Sequence, residues 1–155
     1  MSIVFFRIDD RLIHGQVMTS WAKVCNANNI CIVDDGVAKD TFICQIMKMA
    51  VPREMSICTL NLVDGIEKLK NDPESNRTIV LTKGPENMLA LVEAGIPMKE
   101  LNVGGMGTKP GRKNVLRNIQ ISPEEIEILK KIAAKKIRVF FQIVPDDKCL
   151  ELEKI

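Results

Sequence analysis

The chain has 155 residues, of which 46% are hydrophobic and 27% charged, and its 22 basic and 20 acidic residues leave a formal net charge of +2. This length and composition predict one domain spanning residues 1–155 and exclude a disordered chain. Aromatic residues make up only 4% of the chain and tyrosine is absent, so few side chains can stack on nucleic-acid bases. We therefore expect no nucleic-acid partner.

The N-terminal apolar run is too short for the hydrophobic region of a signal peptide, and no basic segment precedes it. No stretch approaches the ~18 apolar residues of a membrane span. The five cysteines are an odd number, lie among apolar neighbours and show no CxxC spacing, which predicts free thiols in a core. Together these features predict a protein of the reducing cytoplasm.

Short apolar runs alternate with longer segments of helical periodicity, a pattern typical of βαβ units. Strands are predicted at residues 2–8, 30–33, 55–60, 78–82, 101–103 and 137–144. Helices are predicted at residues 14–24, 62–69 and 86–94, in a segment through Ile43, Ile46, Met47 and Ala50, and after Ser122 and Pro123 at the N-cap and first helical position. Helical spacing assigns to the core Met18, Trp21, Met47 and Met49.

The regular alternation ends at a glycine-rich segment, residues 104–112. The next segment, residues 115–121, has the alternating polarity of an antiparallel or edge strand. The chain therefore predicts an α/β fold, an open and mostly parallel sheet with helices on both faces and an antiparallel edge strand. In such a fold, ligands bind outside the carboxyl ends of the strands. That rim would collect residues 9–14, 34–36, 83–84 and 104–112.

His14 is the only histidine of the chain and stands where the first predicted helix begins. Arg11 precedes it by three residues and Gly15 follows it directly. Free backbone N–H groups at a helix N-terminus favour an anion, and an arginine adds charged donors that suit a phosphate. The segment is therefore a candidate phosphoryl site with His14 as nucleophile and Arg11 and Gly15 as phosphate-binding residues.

The chain lacks the residues that several other kinds of functional site require. A single histidine without clustered cysteines offers too few ligands for a transition metal, although an oxygen-rich magnesium site stays open. No GxSxG motif occurs for a serine triad. The glycine-rich segment does not match a P-loop either, because Met106 stands where that pattern requires glycine. We expect no metal or other cofactor.

Several charged residues on the rim have two interpretations. Asp9 and Asp10 either orient the ring of His14, or cap the turn and pair with Arg7 or Arg11. Asp34 could support the site or be an ordinary turn carboxylate, as could its neighbour Asp35. The glycine-rich segment adds basic side chains that are either solvated or in contact with phosphate or a partner: Lys109, Arg112 and Lys113.

Residues 7–17, RIDDRLIHGQV, resemble the phosphorylation site of the enzyme IIB component of the mannose/fructose/sorbose family of bacterial sugar phosphotransferase systems. Further segments resemble family segments in the same order: VDD at residues 33–35, TKGPENMLAL at 82–91 and LNVGGMG at 101–107. The resemblance covers nearly the whole chain, and the family fold agrees with the one predicted from periodicity.

The resemblance implies a function. His14 would accept a phosphoryl group at Nδ1 from the phosphohistidine of a IIA component, and Arg11 would bind that group. The phosphoryl group would then pass to a sugar held by the IIC and IID membrane components, with the chain at the inner face of the membrane. Because His14 would have to approach other proteins closely, it should be exposed at the rim and not sunk in a deep pocket. The sugar and the oligomeric state stay open, and a homo-oligomer is possible. The alternative is a non-enzymatic regulator that uses the same histidine as a phosphorylation mark.

Overall fold

A computed structural model describes residues 2–155. Its main sheet has seven strands in the order β3-β2-β4-β1-β5-β8-β9. The strands of this sheet are β1 Ile3–Asp9, β2 Asn29–Val33, β3 Ser56–Leu60, β4 Thr78–Thr82, β5 Glu100–Gly105, β8 Arg138–Phe141 and β9 Leu150–Glu151. All neighbouring strands pair in parallel except β8 and β9, which are antiparallel. This confirms the predicted α/β class.

Helices cover both faces of the sheet. They are α1 Gly15–Cys25, α2 Asp35–Lys39, α3 Thr41–Ala50, α4 Leu62–Lys70, α5 Pro85–Glu93 and α6 Pro123–Ala133. Buried residues of α1, α2 and α3 belong to one apolar cluster, whereas those of α4, α5 and α6 belong to another. The central strands are buried on both faces, which is why they consist of nearly continuous apolar residues.

The helix boundaries follow from local capping chemistry. Ser122 and Glu125 form the capping box of α6, with Pro123 in its first turn as predicted. Helix α1 ends at Asn26, which adopts a left-handed conformation with φ 52°. Residues 34–36, which were expected on the rim, contain the start of the short helix α2, and the Asp34 side chain caps the N-terminus of that helix.

The predicted antiparallel segment is two strands and not one. Strands β6 Lys113–Leu116 and β7 Ile119–Ile121 form a separate antiparallel pair. Arg117 between them has φ 41°, a conformation that suits a tight turn and not a continuous strand. The antiparallel edge of the main sheet is β9, which periodicity did not predict.

Two core predictions were wrong. Met49 is 86% exposed on α3, although Met18, Trp21 and Met47 are buried as predicted. Cys149 is an exposed free thiol, and of the five cysteines only Cys31 is fully buried. Both errors have one cause, because an apolar side chain at helical or strand spacing can also lie on the solvent side of an element.

Candidate functional site

His14 lies at the rim formed by the carboxyl ends of the parallel strands, as the N-cap residue of α1. Its side chain is exposed and makes no capping hydrogen bond. The Val17 N–H donates to the His14 carbonyl at 3.1 Å, whereas no side-chain cap satisfies the N–H groups before it in that turn. Those earlier N–H groups are available to an anion. The predicted exposure of His14 is confirmed.

The loop before His14 is held in a defined conformation. The Leu12 backbone N–H donates to the Asp9 carbonyl at 2.9 Å, and the Asp10 N–H donates to the Gly105 carbonyl at 3.0 Å. Leu12 has φ 59° while its side chain is buried, so packing compensates the cost of a left-handed residue. Gly15 has φ 45°, a conformation that glycine adopts without strain.

Arg11 is bound by Asp9 and not by His14. Its Nε donates to Asp9 Oδ1 at 3.1 Å, and its Nη2 donates to Oδ2 at 3.3 Å. Asp9 also pairs with Arg7, whose Nη2 lies 3.1 Å from Oδ2. Of the two interpretations of Asp9, the structure therefore supports pairing with the neighbouring arginines.

Residues for which the sequence predicted no individual role complete the cluster of charges formed by Arg7, Asp9 and Arg11. Asn102 in β5 accepts from Arg7 Nη1 at 2.5 Å and itself donates to the Gln142 carbonyl at 3.0 Å. A Cβ at position 104 would overlap the guanidinium of Arg7, and one at position 105 would come within 2.5 Å of Asp9 Oδ1. The double glycine of LNVGGMG thus makes room for the buried charges. A polar Asn102 inside an apolar strand was the available sequence signal.

Neither Asp10 nor Asp34 forms a hydrogen bond with the imidazole of His14. Asp10 accepts the Gly107 N–H at 2.6 Å and lies 3.7 Å from Arg112 Nη1. Asp34 accepts the Val37 N–H at 2.9 Å as the cap of α2. Both carboxylates line an open polar cleft of about 410 Å³, together with Lys83, Gly84, Glu86, Asn87, Lys109, Arg112 and Glu125. His14 is not among the lining residues of that cleft.

Arg112 holds the glycine-rich segment against α6. Its Nε and Nη2 donate to the two Glu125 carboxylate oxygens at 2.9 and 2.6 Å, and its Nη1 donates to the Gly107 carbonyl at 2.7 Å. Hydrogen bonding to Glu125 raises the pKa of Arg112. Burial alone would raise the pKa of Glu125, but the Arg112 and Ser122 hydrogen bonds outweigh it and lower that pKa. Arg112 is therefore structural, whereas Lys109 and Lys113 are exposed.

A pH-dependent stability difference follows from this ion pair. Because the pKa of Glu125 in the folded chain lies below its ordinary 4.5, its carboxylate stabilises the fold above that pH. The contribution is lost as the pH falls through the folded-state pKa. Glu125→Gln keeps a capping-box residue but removes the charge, so it should lower the free energy of unfolding by about 1 kcal/mol at neutral pH.

Urea unfolding of both chains at neutral pH and at about pH 3 checks this prediction. The gap between wild type and Glu125→Gln should narrow in acid, and a gap of equal size at both pH values would contradict the role assigned to the charge.

Residues 2–155 contain neither a cluster of metal ligands nor a membrane-spanning helix. No group of three or more histidine, cysteine, aspartate or glutamate residues there is arranged to hold a metal ion. No helix of that part of the chain is long and apolar enough to cross a membrane.

Comparisons with known proteins agree with this geometry. Residues 3–155 match the family model described as PTS system sorbose subfamily IIB component. The chain is 32% identical over 157 residues to the sorbose-specific EIIB component of Klebsiella pneumoniae, covering all of this chain and 96% of that protein. It is 34% identical to the mannose-specific EIIAB component of Escherichia coli K12, covering 98% of this chain and 47% of that longer protein.

Solved structures show the same fold. The crystal structure of the IIBSor domain of the sorbose permease from Klebsiella pneumoniae superposes with a TM-score of 0.92 at 31% identity, covering 99% of this chain and 96% of that one. Fold and comparisons together define a component of a phosphotransferase system. More narrowly, the chain belongs to the sorbose subfamily of PTS IIB components, which are phosphotransferases of sugar uptake.

Proposed function

We propose that this chain accepts a phosphoryl group on His14 from the phosphohistidine of a IIA component and passes it to a sugar held by IIC and IID membrane components. One observation carries the proposal. An exposed imidazole stands at the uncapped N-terminus of α1, on the same loop as an arginine that a buried carboxylate holds in place. No metal or other cofactor is part of the proposal.

The chemistry requires alignment and charge neutralisation and little else. In the first step, a ring nitrogen of His14, proposed to be Nδ1, attacks the phosphorus, while the P–N bond to the donor histidine breaks. In the second step a sugar hydroxyl attacks the phosphorus, the P–N bond to His14 breaks, and the hydroxyl proton goes to the released imidazole. The Arg11 guanidinium and the backbone N–H groups from Gly15 onward would stabilise the phosphoryl oxygens in both steps.

The exposure of His14 suits transfer between proteins. A donor histidine and an acceptor sugar must each come within bonding distance of the same nitrogen, which a deep pocket would prevent. His14 lies outside the polar cleft that Asp10 and Asp34 line. We assign these two carboxylates a supporting role, in which Asp10 anchors the glycine-rich segment and Asp34 anchors α2 beside the site.

The name of one relative supports the proposed IIA partner. The mannose-specific relative is named an EIIAB component and is about twice as long as the part that matches this chain. A IIA function thus accompanies a chain of this kind in that relative. We place this protein in the cytoplasm, at the inner face of the membrane, where it would meet IIC and IID.

The test is transfer through the chain to sugar. A phosphorylated IIA component is incubated with the chain and with membranes that contain IIC and IID, and sugar phosphate is measured. We expect sugar phosphate only when the wild-type chain is present. A chain that becomes phosphorylated while membranes form sugar phosphate equally well without it would contradict the proposal and favour a regulator.

A further inference from the structure

We propose that Asp9 and the buried Arg7 are positioning residues, which hold the Arg11 guanidinium where it meets the phosphoryl group. The inference rests on the proposed function of His14 and Arg11 and adds to it the means by which the arginine is placed. Neither Asp9 nor Arg7 would touch the phosphoryl group, because the side chains of both are fully buried, at 1% and 0% exposure.

The Asp9 carboxylate binds one edge of the Arg11 guanidinium through hydrogen bonds. Nε and Nη2 of Arg11 each donate to a different carboxylate oxygen, and the Arg11 backbone N–H donates to Oδ1 at 3.0 Å. This bidentate contact fixes the plane of the guanidinium as well as its position. Among residues 2–155, Nη1 of Arg11 makes no hydrogen bond, and 33% of the side chain is exposed. The edge with Nη1 is therefore available to two phosphoryl oxygens.

Asp9 is in turn fixed by Arg7. Arg7 Nη2 donates to Asp9, while Nη1 donates to Asn102 and, at 3.3 Å, to the Gln142 carbonyl. Burial lowers the pKa of Arg7, and the neighbouring carboxylate opposes that effect. A buried guanidinium without a partner would be costly, so the two charges must stay together. Asp9 thus has little freedom to turn away from Arg11.

The same guanidinium also contacts the helix that begins at His14. The central carbon of Arg7 lies 5.6 Å from the Trp21 ring centroid, within the range of a cation–π contact. Trp21 Nε1 donates to the Ile143 carbonyl at 2.9 Å, which ties α1 to the chain after β8. Arg7 therefore connects to Arg11 through Asp9 and to α1 through Trp21, so one buried group supports both functional elements.

The charge balance distinguishes Arg11 from the other arginine at the rim. Two guanidiniums share the single Asp9 carboxylate, so this cluster keeps one positive charge in excess. Arg112, by contrast, faces two carboxylates, Glu125 at 2.6 Å and Asp10 at 3.7 Å. Its charge is neutralised within the protein, whereas that of the Asp9 cluster can neutralise a bound phosphoryl group.

The experiment is a double-mutant cycle of Asp9→Asn and Arg11→Gln, with two readouts. The first is the rate of His14 phosphorylation by a phosphorylated IIA component, and the second is the midpoint of urea unfolding. We expect Asp9→Asn alone to slow phosphorylation about tenfold or more, since it releases the guanidinium from its position. In the Arg11→Gln background, Asp9→Asn should cause no further loss of rate, but it should still lower the unfolding midpoint.

A merely structural Asp9 gives a different result. Asp9→Asn would then slow phosphorylation by the same factor with or without Arg11, and that outcome would overturn the proposal, as would a wild-type rate in Asp9→Asn. The matched control is Asp147→Asn, which breaks the ion pair with Arg117 outside the site and should leave the rate unchanged. If the wild-type chain accepts no phosphoryl group on His14, the proposed function fails, which is separate from a failure of the positioning role.

Two further measurements keep the proposal testable if Asp9→Asn does not fold. The double variant Arg7→Gln with Asp9→Asn exchanges both buried charges for neutral amides, and it should slow phosphorylation as Asp9→Asn would. On the unphosphorylated wild-type chain, ¹⁵N relaxation should show the Arg11 Nε–H to be as ordered as the backbone of β1. A mobile Arg11 Nε–H, or a wild-type rate in the double variant, would overturn the proposal.

Discussion

His14→Gln should abolish acceptance of a phosphoryl group and leave the fold as stable as before. Glutamine has no ring nitrogen to attack phosphorus, so the loss of labelling should be complete. The imidazole is exposed and caps nothing, so the free energy of unfolding should change by less than about 0.5 kcal/mol. Labelling with phosphorylated IIA component and urea unfolding measure the two quantities on the same preparation.

The matched control for this variant is Gln16→Ala, which alters an exposed residue of the first turn of α1 without removing a nucleophile. It should keep its labelling. A His14→Gln chain that is still labelled would place the phosphoryl group on another residue and contradict the assignment of the nucleophile.

Gly104→Ala should destabilise the fold by about 3 kcal/mol. The new methyl group would overlap the fully buried guanidinium of Arg7, and that guanidinium cannot move away from Asp9 without breaking a buried ion pair. Gly36→Ala is the control, because a Cβ there is 3.4 Å from the nearest atom and the residue lies in α2. Its effect should stay within about 1 kcal/mol.

Chemical denaturation of both variants decides the point. A Gly104→Ala chain as stable as the wild type would show that Arg7 does not occupy the position described next to β5, and it would remove the basis for the buried charge cluster.

The sequence predicted the elements whose character is local. Strands β2 and β4 are buried on both faces, so their apolar runs are easy to recognise in the sequence. Ser122 and Pro123 indicate the start of α6 because they are typical of the N-cap and the first helical position. Strand β9 has two residues, too few to show a periodicity, and it exists because β8 provides an antiparallel partner. Arg117 adopts a left-handed conformation between β6 and β7, but arginine is not a residue type that indicates such a turn in a sequence.

In the candidate site, too, the sequence predicted the local features and not the contacts between residues far apart in the chain. His14, Arg11 and Gly15 lie within five residues of each other, so their spacing alone indicated a phosphoryl site. Pairing of Asp9 with Arg7 or Arg11 was one of two open interpretations, and in the structure Asp9 pairs with both arginines. Asn102 was missed, and the role of Gly104 beside Arg7 was not predicted, because both reach Arg7 across about a hundred residues of sequence, through strand pairing that periodicity cannot specify.

The position of the phosphoryl group on the wild-type chain decides whether His14 is the nucleophile. After incubation with a phosphorylated IIA component, ¹H–¹⁵N and ³¹P NMR can show which atom bears phosphorus. We predict a single acid-labile phosphoryl group on the Nδ1 nitrogen of His14. A phosphoryl group on a cysteine, an aspartate or any residue other than His14, or no phosphoryl group with a donor shown to be active, would contradict the account.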